Sequence, residues 1–274
     1  MSPSNRKFAL ILLLILAPIL QACATTPSDT QLQSLIAGPQ RSDKNRARDI
    51  YRHPYETLTF FGVRNDLTVV EIDPGSGAWW TEILAPYLQD HGRYYAAGPA
   101  ADDTSAEAIS SRNGFAAKLA SNPAIYGKVE VTASDGDRLD IAPPGSADMV
   151  LTFRNLHNWI ADGTADAALH AFYRALKPGG VLGIEDHRAR TDQLQDPKAT
   201  NGYVREDYAI ALVEKAGFKL VGTSEINANP KDTKDYPAGV WTLPPTLRLK
   251  DQDRAKYVAI GESDRFTLKF IKSQ

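Results

Sequence analysis

The chain has 274 residues, 43% hydrophobic and 23% charged, with a formal net charge of -2, as expected for a globular protein with one large α/β domain or two small ones. No basic tail or Lys/Arg run is present to neutralise phosphates, so nucleic acid is disfavoured as a partner. A single cysteine, Cys23, cannot form an intramolecular disulfide and excludes paired CxxC zinc sites.

At the N-terminus, Arg6 and Lys7 precede an uncharged apolar run from Phe8 to Leu20. The run is too short to span a bilayer core, which needs about 20 residues, and it suits the apolar region of a signal peptide. The segment Leu20-Gln21-Ala22-Cys23 resembles the bacterial lipobox. That resemblance implies a lipoprotein signal peptide over 1–22 and lipidation of Cys23. It also implies membrane attachment through the lipid and a periplasm-facing place in the bacterial cell envelope. Ala24, rather than Asp, after the cysteine implies the outer membrane. Residues 23–44 are rich in Thr, Pro, Ser and Gln and predict a flexible tether, leaving 45–274 as the domain.

From Asn45 the pattern is helical, with Ala47, Ile50 and Tyr51 on one face, and Pro54 restarts a short helix to Phe61. Thr68–Ile72 is a β-branched run of the kind a buried parallel strand needs. Strands are then predicted at Arg93–Ala97, Val129–Ala133, Ala147–Phe153, Val181–Glu185, Phe218–Ile226 and Asp264–Ile271. Helices are predicted at Trp79–Leu88, Ala106–Ala120, Ala165–Leu176 and Asp207–Ala216, and Lys177–Gly180 reads as a turn. This alternation predicts an α/β fold with a mostly parallel sheet and helices on both faces. No helix separates the last two strands, which therefore pair antiparallel. The connection 227–263 is long, and connections of that length tend to cover or build a site.

The stretch Val69-Val70-Glu71-Ile72-Asp73-Pro74-Gly75-Ser76-Gly77 sets an acid and two glycines between a strand and a helix, where glycine permits a tight turn and close backbone approach to a ligand. It is not a P-loop, and Trp80 stands where a dinucleotide fingerprint needs its third glycine. With Asp135–Leu139, Ala147–Val150 and Leu176–Val181, it resembles the class I S-adenosylmethionine-dependent methyltransferases. Segments Tyr51–Pro54, Phe153–Trp159 and Glu262–Phe266 further resemble recurring stretches of predicted exported methyltransferase-like bacterial lipoproteins. The resemblance implies a Rossmann-like seven-stranded sheet with an antiparallel last strand, and S-adenosyl-L-methionine as cofactor. It implies cofactor contacts at Glu71, Asp73, Gly75, Gly77, Gly98, Asp135 and Arg154. Gly98 stands where most such enzymes carry the acid that binds the ribose, which leaves Asp102 or Asp103 as substitutes. For Asp73, a cofactor contact and a helix cap remain equal alternatives.

Ligands of open α/β sheets bind at the C-terminal strand ends. Methyl transfer needs alignment and, for some acceptors, a base. The candidate catalytic residues are therefore His157, His187 and Asp186, with His157 as base or as an organiser of its loop. Arg52, His53, Asn155, Asn158, Trp159 and Arg188 are candidates for the acceptor pocket; a helix cap is the alternative for His53. The histidines and Asp186 match no metal-ligand spacing, so no metal is assigned. The acceptor is expected to be a small molecule or an envelope component. A second reading is a non-catalytic, ligand- or partner-binding lipoprotein on the same fold.

Overall fold

The computed structural model describes residues 29–134 and 139–273. Four short helices come first: α1 (Thr30–Ile36), α2 (Asp43–Arg46), α3 (Asp49–Arg52) and α4 (Pro54–Phe61). Next come β1 (Thr68–Ile72), α5 (Thr81–Leu88), β2 (Arg93–Gly98), α6 (Ala106–Ala120), α7 (Pro123–Tyr126) and β3 (Glu130–Ala133). The second half contains β4 (Ala147–Phe153), α8 (Leu156–Asp162), α9 (Ala165–Ala175), β5 (Leu176–His187), α10 (Glu206–Lys215) and β6 (Phe218–Ser224). A 3-10 turn at Gly239–Thr242, α11 (Arg254–Ile260) and β7 (Arg265–Lys272) complete it.

The strands form one seven-stranded sheet in the order β3-β2-β1-β4-β5-β7-β6. β1 to β5 run parallel, and β7 is antiparallel to both β5 and β6. Side chains alternate across a strand, so each strand feeds two cores. Val70, Tyr95 and Val150 pack with Leu169 and Phe172 of α9 on one face. Val69, Tyr94 and Leu151 pack with Ile83 of α5 and Phe61 of α4 on the other. This is the doubly wound arrangement predicted, with its topological switch between β1 and β4.

Several local expectations are corrected. Residues from Asp29 onward do not behave as a tether. Asp29 caps α1 by accepting from the Leu32 N–H at 2.9 Å and also accepts from the Tyr87 hydroxyl, and Leu32 is buried. Ile50 is 69% exposed, because α2 and α3 are separate turns rather than one amphipathic helix. α5 starts at Thr81 rather than Trp79, because the turn continues with Gly75 (φ 64°) and Ala78 (φ 45°) in the left-handed region. The Lys177–Gly180 run lies inside β5, with Leu176 already paired to Ala147 and a register irregularity before Met149. α8 occupies Leu156–Asp162, read as a loop. Leu156, Trp159 and Ile160 are its buried stripe, and Gly163 (φ 73°) ends it.

Candidate active site

The Gly-rich turn after β1 forms one wall of a cleft at the C-terminal end of the sheet. A cavity of about 420 Å³ lies between that turn, the β4 end at Phe153–Asn155, and the Trp241–Pro245 part of the long connection. A second, of about 700 Å³, lies beside Pro99, Ser134 and the start of α6. Asp73 and Asn158 line both, so the two meet over the end of β1. Volumes of this size suit small molecules and cofactors.

The turn fits a closely held ligand. A Cβ built on Gly75, Gly77 or Gly98 would meet nothing within 4 Å, so the backbone is bare towards open space there. Asn45 Nδ2 donates to the Gly77 carbonyl at 3.1 Å, and Trp79 Nε1 donates to the Asn45 carbonyl at 2.9 Å. Asp73 has φ 49° and accepts from Ser134 Oγ at 2.6 Å. It is not a helix cap, since α5 begins eight residues later; it ties the ends of β1 and β3 together at the mouth of both cavities.

A compact ionisable group sits opposite. Asp186, fully buried at the end of β5, accepts from the His157 backbone N–H at 2.9 Å and the His187 backbone N–H at 2.7 Å. Its carboxylate also lies 2.9 Å from His157 Nδ1. A carboxylate at Nδ1 fixes the proton there, and Nε2 then keeps its lone pair. His157 lines the cavity. His187 lies alongside, with ring centroids 5.1 Å apart and Nδ1 at 2.5 Å from Ser263 Oγ. Burial first, then the positive charges of Arg154, Arg265 and Arg52 and the neighbouring His157, hold His187 well below its ordinary pKa. It is therefore neutral at pH 7.

The three residues bring possible ligand atoms within 4.8 Å of one another. The surroundings disfavour a cation. Asp186 is already engaged by three donors, both Nδ1 atoms are taken, and four guanidiniums stand nearby. Those guanidiniums were not singled out as a group in the sequence. Glu262 pairs with Arg48 (2.6 Å), Arg265 (3.2 Å) and Arg52 (3.4 Å), and Arg265 also reaches Glu185 at 3.0 Å. Burial pushes the Glu262 carboxyl up, but Arg52, Arg265 and Arg48 overcome it and hold it at about 2. Arg52 also lies over the Trp79 ring, 4.7 Å from its centroid. The segments Tyr51–Pro54, Phe153–Trp159 and Glu262–Phe266, far apart in sequence, thus meet around one charge cluster.

Other expected site residues divide. Arg52, Arg154, Asn155, Asn158 and His187 line the first cavity. Trp159 lines the second and packs against Phe172 in the core. Asp103 and Glu107 also reach the second cavity, beside Gly98 at the end of β2. Glu71 does not face either cavity. It is buried beneath the turn, accepting from Thr81 Oγ1 at 3.0 Å and from the Tyr94 hydroxyl, so its expected direct cofactor contact is corrected to a structural role. His53 lines a separate pocket, 3.4 Å from Asn227 Oδ1, and takes the alternative expected for it: it is the cap residue between α3 and α4, its backbone N–H donating to the Asp49 carbonyl. Arg188 is drawn away by Glu225 (2.6 Å) and Glu206 (3.2 Å). Asp135 and Cys23 lie outside the described residues.

No family model matches the chain, and no curated protein matches it in sequence. Solved structures do match it in shape. A SAM-dependent methyltransferase from Aquifex aeolicus superposes with a TM-score of 0.54 at 18% identity, covering 88% of this chain and 96% of that one. The [4+2]-cyclase SpnF gives a TM-score of 0.56 at 15% identity, over 89% and 92%. Human N-acetylserotonin methyltransferase, solved with SAM, gives 0.50 at 14% identity, over 89% and 56%. One of these is a cyclase, so shape alone does not fix the reaction. The sheet order, the antiparallel β7 and these superpositions together establish that the chain has the fold of the class I SAM-dependent methyltransferases.

Proposed function

We propose that the protein is an S-adenosyl-L-methionine-dependent methyltransferase with His157 as its general base. The observation that carries this reading is the His157–Asp186 pair at the end of β4 and β5, facing a bare glycine turn across one cavity. The cofactor would lie along the joined cavities, held by the Gly75–Gly77 backbone and Asp73, with Asp103 and Glu107 available to its hydroxyls in place of an acid at Gly98. Bound there, it supplies a methyl group already activated on a sulfonium. The protein aligns the acceptor, excludes water with Trp241 and Pro244–Pro245, and takes the acceptor's proton at His157 Nε2. Neutral His187 offers a further polar group beside it. A base placed in this way is worth about 10²–10⁴ in rate.

The test is a pair of variants titrated with S-adenosylhomocysteine. Gly77→Val fills open space at the turn and should abolish binding, whereas His157→Ala should retain it and lose only methyl transfer. Equal binding by Gly77→Val and the parent chain would reject the site. We further propose a lipid anchor at Cys23 that holds the domain in the periplasm at the outer membrane, acting on a small-molecule or envelope acceptor. Radioactive palmitate should label the chain in cells and fail to label Cys23→Ala.

A further inference from the structure

The cleft has two electrical ends. The larger cavity is lined by Asp73, Asp103, Glu107 and Asp162 and by no basic residue among those described. The smaller one is lined by Lys44, Arg48, Arg52 and Arg154, with Glu262 as its acid besides the shared Asp73. Glu262 is already committed to Arg48, Arg52 and Arg265, and Glu185 to Arg265. Four guanidiniums therefore face two carboxylates in a poorly hydrated place.

Arg154 is the residue left over. Its side chain makes no hydrogen bond or ion pair with any described residue, and its Nε is buried without a partner. Arg48 Nη2 and Arg52 Nη2 are buried and unpartnered too, and Arg52 is almost wholly enclosed. The backbone at Arg154 is held in the left-handed region (φ 63°) by its N–H donating to the Glu185 carbonyl at 2.7 Å. Strain at a non-glycine residue persists where surrounding structure imposes it, and it concentrates at functional sites. A partly buried arginine whose Nε is enclosed without a partner carries a cost that a bound anion reduces. Loss of hydration lowers the proton affinity of Arg154, with Glu262 and Glu185 opposing and Arg265 and Arg48 adding to it.

We infer that the acceptor of this site carries an oxyanion, a carboxylate or phosphate group, held by Arg154 with Arg48 and Arg52. This rests on the methyl-transfer reading for the word acceptor, but the anion site itself does not. The anionic group anchors the molecule on the basic side, and its proton-bearing atom is then presented to His157. A metal is the poorer occupant, since the same guanidiniums repel it. The cofactor's own carboxylate shares the chemistry and is the competitor to exclude.

The experiment is calorimetric titration of the full chain with inorganic phosphate and with benzoate, at ionic strength fixed with sodium chloride, with and without saturating S-adenosylhomocysteine. At least one anion should bind, equally well or better in the presence of S-adenosylhomocysteine. Arg154→Gln should weaken it by about tenfold or more, and Arg154→Lys should restore part. Arg154 has no partner to lose, so neither variant should melt below the parent chain. Absence of anion binding, or equal affinity in Arg154→Gln, overturns the inference. Competition by S-adenosylhomocysteine also overturns it, assigning the cluster to the cofactor's carboxylate. If the anion binds through Arg154 but S-adenosylhomocysteine does not bind at all, the anion site stands and the methyl-transfer reading falls.

Discussion

Replacing Asp186 by Asn probes the pair on which the proposed chemistry depends. The carboxylate accepts from three N–H groups at 2.7–2.9 Å, two of them on His157. An amide offers one oxygen and one NH2, so at least one backbone donor or the ring faces another donor. If the oxygen takes the Oδ2 place, it keeps the His157 backbone N–H, and the NH2 faces both Nδ1 and the His187 backbone N–H. Nδ1 then accepts, the ring proton moves to Nε2, and the base towards the cavity is lost. The expected cost to transfer is about 10²–10⁴. In either orientation one backbone N–H is left unpaired, at a cost of about 1–3 kcal/mol of stability, or roughly 2–12 °C in melting temperature for a domain of this size. Long-range proton–nitrogen NMR of the imidazoles reads the tautomer without any acceptor. The parent should show His157 protonated on Nδ1, and Asp186→Asn should show it on Nε2. An Nδ1-protonated ring in the variant, with unchanged stability, would refute the assignment of Asp186 as the orienting group.

Two further outcomes follow from the buried charges. Glu262→Gln removes the counterion shared by Arg48, Arg52 and Arg265; urea unfolding should register a loss of about 3–5 kcal/mol, and a change below about 1 kcal/mol would contradict the network. Burial raises the Glu71 carboxyl from its ordinary 4.5 to about 7, against the hydrogen bonds from Tyr94 and Thr81. An acid raised on folding stabilises the folded state below its unfolded pKa and loses that contribution as pH rises through the folded value. Stability should therefore fall between pH 4.5 and 7 by up to about 1.4 kcal/mol per pH unit, and Glu71→Gln should flatten that slope. Glu262, held at about 2, acts oppositely, its contribution being lost as pH falls from 4.5 towards 2. Chemical denaturation across pH 3–8 separates the two.

Much of the fold was readable because its signals are local. The TVVEI run is β1 with the boundaries predicted, and Ala147–Phe153 and Ala106–Ala120 are likewise as read. The periodic apolar stripe of Leu156, Trp159 and Ile160 with Gly163 behind it also announced α8, but the polar residues between them drew attention as site candidates instead. The start of α5 was misplaced because nothing local distinguishes Ala78 in the left-handed region from the first turn of a helix. α1 was missed because the Thr/Pro/Ser/Gln-rich composition outweighed the Asp29 cap and Leu32.

The site was legible in type and less so in partnership. The histidines and Asp186 followed from the rule that ligands gather at strand ends. That Asp186 serves His157, and that His187 turns to Ser263, depends on contacts 29 and 76 residues apart. The arginine cluster depends on separations of 210 and 214 residues, beyond any periodicity. Arg188 and His53 were plausible by position, but acids and an asparagine elsewhere on the chain claimed them.

On the proposed reading this cleft binds S-adenosyl-L-methionine. Calorimetric titration of the full chain with S-adenosylmethionine and S-adenosylhomocysteine tests it most directly. Saturable one-to-one binding of both, lost on Gly77→Val, is the predicted result. No heat from either at millimolar concentration would contradict it.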